Sequence, residues 1–121
     1  MPTIRGVAFD EDLADRIREL VGDQPTVSEQ KMFGGLAFLI SGNMAVAASG
    51  QGGLLVRLDA EEGEKLIDSG AGQPMEMRGR RMRGWLRVDS DAVRTKRQLA
   101  RWVQRGTEYA ASLPPKSPKR R

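Results

Sequence analysis

Between residues 31 and 58 the apolar positions fall into three short runs, 36–40, 44–48 and 54–58, separated by glycine-containing breaks. Runs of about five apolar residues bounded by turn residues read as strands rather than helices. The first break, Ser41-Gly42-Asn43, and the second, residues 49–53 (SGQGG), have the composition of hairpin turns. The paired glycines Gly34-Gly35 mark a bulge or a close backbone approach at the entrance of the first run. Residues 26–32 are polar and read as an approach segment, with a strand beginning near Lys31.

On either side of this sheet the period changes. Leu13, Ile17, Leu20 and Val21 recur at helical spacing behind the N-cap candidate Asp10, with Asp12 and Arg16 paired at i, i+4 on the outside. Gly22 and Pro25 end that helix. Asp59 with Glu62 three residues on opens a short second helix that closes at Gly70, and Gly63 inside it costs about 1 kcal/mol relative to Ala. Residues 74–77 and 84–88 read as two more strands with a bend at Gly79, Met75 and Met77 sharing one face. Asp91 is the expected cap of a last helix over 92–113. At 100° per residue it gathers Thr95, Leu99, Trp102, Val103, Gly106, Ala110 and Leu113 on one face and Arg94, Arg97, Arg101 and Arg105 on another. Pro114-Pro115 stops it. The expected order is α-β-β-β-α-β-β-α: an α+β fold, a two-layer sandwich of helices on a five-stranded antiparallel sheet. Residues 1–113 form one domain and 114–121 a basic, disordered tail.

Composition narrows the chemistry. The 121 residues contain no His and no Cys. That removes thiolate nucleophiles, disulfides, Cys- or His-ligated metal and any Ser–His or Cys–His pair. Adjacent carboxylates such as Glu61 and Glu62 are accounted for as helix-start residues. The residues Gly50–Gly53 lack the Lys-Ser/Thr of a phosphate loop and precede a strand, which makes them a hairpin turn. No catalytic residue, cofactor or metal is expected, and the chain is read as no enzyme. No apolar run approaches the roughly 18 residues of a membrane span. The N-terminus has no apolar signal core, so a cytoplasmic location is expected.

The net charge of +4 is unevenly distributed. Residues 1–77 hold 6 basic and 13 acidic side chains, and residues 78–105 hold 10 basic and 2 acidic. Two arginine runs stand out: Arg78, Arg80, Arg81, Arg83 and Arg87 on the last strand pair, and Arg94, Arg97, Arg101 and Arg105 on the last helix. Such runs serve solubility, pair with the acidic first half, or meet phosphate groups of nucleic acid. Trp102, on the apolar face, is expected in the core, and Trp85 beside Arg83 and Arg87 is open to either role. The clustered methionines are read as gap-filling core, as is Phe33.

Lys31-Met32-Phe33-Gly34-Gly35, Gly53-Leu54-Leu55-Val56-Arg57, Met82-Arg83-Gly84-Trp85-Leu86-Arg87-Val88, Ala100-Arg101-Trp102-Val103 and Tyr109-Ala110 together resemble the N-terminal domain of the TfoX/Sxy family. The resemblance spans about residues 10–115. It implies a two-layer sandwich with an antiparallel sheet, and a bacterial regulatory role. Competence regulators of that family carry a further helical domain, so the chain is expected to be a stand-alone version. The resemblance implies a non-catalytic adaptor that contacts a protein of the transcription machinery through a sheet face or an edge strand, with homodimerisation compatible with the architecture. Direct sequence-nonspecific nucleic-acid binding through Arg78, Arg80, Arg81, Arg83, Arg94, Arg97, Arg101 and Arg105 is the alternative. A small-ligand or nucleotide sensor is a further one.

Overall fold

The computed structural model describes residues 10–22, 25–32, 34–50 and 52–115, Met77 by its backbone alone. The elements are α1 (Glu11–Val21), β1 (Val27–Met32), β2 (Gly35–Ile40), β3 (Asn43–Ala48), β4 (Leu54–Arg57), α2 (Ala60–Asp68), β5 (Gln73–Met77), β6 (Arg80–Val88), a 3-10 turn (Ser90–Val93) and α3 (Lys96–Ser112). The α+β class and the antiparallel sheet are as expected. The sheet has six strands rather than five, in the order β1-β2-β3-β4-β6-β5. The additional strand is the polar approach segment. β1 lies at an edge with Ser28, Glu29, Gln30 and Lys31 exposed, so burial imposed no apolar alternation by which to recognise it.

Local chemistry explains most boundaries. The Asp10 carboxylate accepts from the Leu13 N–H, and that of Asp59 accepts from Glu61 and Glu62. At the end of α2, Gly70 has φ +83°, its N–H donates to Ile67 and the Ala71 N–H donates to Leu66. This is the paired bonding of a Schellman stop. The β2–β3 and β5–β6 connections are two-residue turns with positive φ at both positions: Ser41 and Gly42, then Arg78 and Gly79. That geometry matches the twist of paired strands. Asn43, read from sequence as a turn residue, instead begins β3. It is buried, and its amide donates to the Pro114 carbonyl at 2.9 Å.

The last helix begins later than its sequence implied. After β6 the chain takes a 3-10 turn, and Thr95 caps α3 through a capping box with Gln98. Thr95 is therefore a cap rather than part of the apolar face, and Arg94 precedes the helix. Arg16 donates to the carbonyls of Val93 and Arg94 at 2.9 and 3.0 Å, tying α1 to this turn instead of pairing with Asp12.

One sheet face carries the main core. Phe38, Val46, Val56 and Leu86 are fully buried there against Ile17 of α1 and Leu99 of α3, with Trp102 and Val103 alongside. α3 lies over β3 and β4, and α2 over β6. The β2–β3 register skips Ala45, a bulge. Gly106 of α3 rests against it, so that a Cβ there would meet the Ala45 oxygen at 2.5 Å. The opposite sheet face holds a second, smaller cluster: Ala37, Leu39, Met44, Ala47, Leu55 and Met75, with Met32 and Trp85 packed on it. Phe33 and the tail residues 116–121 lie outside the described residues.

Candidate interaction surfaces

The eight arginines singled out from the sequence occupy two groups. Arg78 sits in the β5–β6 turn, and Arg80, Arg81 and Arg83 follow in β6. Strand alternation turns Arg81 toward the helix layer and Arg80 toward the opposite face. Arg81 donates to Glu64 of α2 at 3.1 Å, with Arg83 at 3.9 Å from the same carboxylate. Arg78, Arg80, Arg81 and Met82 line a shallow groove of about 360 Å³. The second group follows β6. Arg94 pairs with Asp91 at 2.7 Å, Arg97 and Arg101 project from α3, and the Arg105 guanidinium lies 4.8 Å from the Trp102 ring centre.

The two groups lie toward opposite ends of β6 in the chain. β6 runs from the hairpin tip to Val88, which stands opposite Leu54 at the far end of β4. The β5–β6 register sets residues 80–87 of β6 opposite only Gln73–Met77 of β5, a bulge between Met82 and Leu86, so this stretch of β6 spans about 13 Å along the sheet. The acidic residues of α2 also stand beside the first group.

Two features had no signal in the sequence. Arg57 and Trp85 are 28 residues apart yet directly opposite in the β4–β6 register. The Arg57 guanidinium lies 5.0 Å from the Trp85 ring centre and 5.9 Å from that of Tyr109. Such stacking joins strand and helix through a cation and two aromatic faces. The other is a groove of about 590 Å³ between the end of α1, the start of β1, the end of β2 and one side of α3. Leu20, Val27, Ile40 and Val103 form its floor, and Gln104 and Glu108, hydrogen-bonded at 3.0 Å, its polar rim. Only Val103 of α3 had been placed on an inward face from its spacing.

Electrostatic perturbation is concentrated where α1 meets β1. Arg18 holds Glu29 by two bonds of 2.7 and 2.9 Å and also pairs with Asp15. These hydrogen bonds hold the Glu29 carboxyl below the usual carboxylate range and push the Arg18 guanidinium up. The pair pins α1 to the edge strand. Among the described residues, no group of three acidic side chains is placed to hold a metal ion. No helix among them is long and apolar enough to cross a membrane.

The architecture defines a small α+β domain whose distinctive chemistry is at its surface: an open edge strand, two arginine groups and an amphipathic groove beside α3. The chain matches the TfoX N-terminal domain over residues 19–110 and belongs to that family. The match places it among regulatory or adaptor domains in general, a family that is non-catalytic as a general matter. Comparison with curated proteins gave no match.

Proposed function

We propose that this protein is a bacterial cytoplasmic regulatory adaptor that acts by protein–protein contact in transcription and transforms no substrate. The observation that carries the reading is the family match across residues 19–110, which includes the whole sheet. The open edge and the groove beside α3 are surfaces of the kind that take an added strand or an inserted helix. Affinity capture on the full chain, with and without nuclease, tests the reading. The expected result is the same protein of the transcription apparatus in both eluates. Loss of all captured material on nuclease treatment, or turnover of a substrate by the purified chain, overturns it.

A second reading follows from the arginine tip of the β5–β6 hairpin. Arg78, Arg80 and Arg81 line one groove, and such a cluster of cations is of the kind that meets phosphates of a nucleic acid. Binding of duplex DNA at low salt, falling steeply as salt is raised, supports it. No binding at low salt removes it. The groove beside α3 falls within the size range of small-molecule sites. Thermal shift against common nucleotides tests a sensor role, and no shift at saturation rejects it.

A further inference from the structure

The two edges of the sheet are built differently. β5 is blunted by Pro74 and by a register break after it, where Pro74 stands opposite Leu86 but Met75 opposite Met82. β1 has neither device. Its six residues pair with β2 in unbroken register from Val27–Ile40 to Met32–Gly35, and Ser28, Glu29, Gln30 and Lys31 are exposed. Among the described residues, no strand lies on its outer side.

We propose that β1 pairs antiparallel with β1 of a second copy, about a two-fold axis through Gln30, to give a continuous twelve-stranded sheet. The proposal is independent of the identity of any regulatory partner. Three constraints lead to this register.

The first is the direction of the free backbone groups. The Ser41 N–H donates to the Thr26 carbonyl at 2.8 Å, one pair beyond Val27–Ile40. Hydrogen-bonded pairs alternate along an antiparallel ladder. Ser28, Gln30 and Met32 therefore turn their backbone groups to β2, and Val27, Glu29 and Lys31 turn theirs outward.

The second is symmetry. An axis normal to the sheet keeps both helix layers on one side, and residues opposite each other then share a face. Facing pairs must have the same parity in the chain, so the axis passes through a residue and not between two.

Charge is the third. Centring on Glu29 sets carboxylate against carboxylate, and centring on Lys31 sets ammonium against ammonium. Centring on Ser28 puts Val27 opposite Glu29 and leaves Lys31 unmatched. Centring on Gln30 puts Glu29 opposite the second copy's Lys31 twice, in just the pairs whose N–H and C=O groups point outward. Four main-chain hydrogen bonds and two cross-strand ion pairs result. The two Gln30 amides meet at the axis, in the closer kind of pair, where each can donate and accept. Glu29 keeps its bond to Arg18 of its own chain, whose position above β1 does not change.

Sedimentation equilibrium of the full chain, with two singly reversed variants, tests this. Wild type is expected to be dimeric. Lys31→Glu and Glu29→Lys each set like charges opposite and weaken the dimer by roughly tenfold or more. An equimolar mixture of the two restores dimerisation as a heterodimer, because each chain then faces its opposite. Circular dichroism melts confirm that each variant is folded. Lys31 is exposed, and its reversal alters no ion pair seen among the described residues. A wild-type chain that stays monomeric at the highest attainable concentration overturns the proposal, and leaves the edge to an extended peptide of another protein. Variants that dimerise as well as wild type, or a mixture that fails to recover, overturn it equally.

Discussion

At Gly35 an added Cβ would collide with the carbonyl oxygen of Ala48 in the neighbouring strand, and at Gly106 it would stand 2.5 Å from that of Ala45. Both contacts are with backbone, which cannot step aside cheaply. Gly63 differs: a Cβ there meets only Gly84, at an ordinary 3.6 Å. Its cost is therefore that of a flexible residue inside a helix, with no steric benefit to offset it. Gly63→Ala should raise stability by about 1 kcal/mol, roughly 4 °C in Tm. Gly106→Ala should lower it by about 1–3 kcal/mol, as α3 is forced off β3. Urea unfolding of the two variants beside wild type measures both signs. Thr95→Ala removes the cap of α3 and should cost about 1 kcal/mol in the same assay. Spacing alone could not identify that cap, because Asp91 is an equally good capping residue. What decides for Thr95 is the 3-10 turn between them, held from outside by Arg16.

Edge strand and first helix depend on one another through Arg18 and Glu29. With its carboxyl held below the ordinary range, Glu29 stabilises the fold at any pH above the unfolded carboxyl value, about 4.3. That contribution is lost as pH falls through the lower folded value. Arg18→Gln should therefore flatten the loss of Tm on acidification below about pH 4.5, with its largest effect near neutral pH. Melts between pH 3 and 7 read it, and a variant whose acid limb parallels wild type contradicts it. Both side chains are partly exposed, so the effect should shrink in high salt. At this scale the sequence was an uneven guide. Buried strands and helices announced themselves by period, because burial on one face selects every second or every third to fourth residue. β1, with only its ends half-buried, has no such selection to leave a trace. The later start of α3 also takes Arg94 out of what had been a four-residue helical stripe.

For the molecule as a whole, chain folding distributes over a strand, a turn and a helix a charge pattern that is continuous along the sequence. The arginines from 78 to 105 look like one basic block, yet those of residues 78–83 sit at the hairpin end of β6 and those of 94–105 follow its other end. Under the nucleic-acid reading this has a measurable consequence. Reversal of Arg78 and Arg80 to Glu should lower the dependence of log affinity on log salt by about 0.9 for each phosphate contact removed. Reversal of Arg97 and Arg101 should leave that slope unchanged. Equal losses from both variants would mean that DNA bridges the two groups. Arg57, by contrast, appeared in no basic run, and only the β4–β6 register brings it over Trp85.

Local order was therefore legible before any coordinates. Apolar period, capping residues and turn glycines depend on neighbours a few positions away, and they yield the α+β class, three helices and five of the six strands. The family resemblance, drawn from the order of those same segments, agrees with the match over residues 19–110. Folding alone settled matters that depend on residues distant in the chain: which strand is left at an edge, which glycine meets backbone, and which aromatic rings Arg57 reaches. Such contacts join positions tens of residues apart, and no short-range pattern encodes which of them will meet.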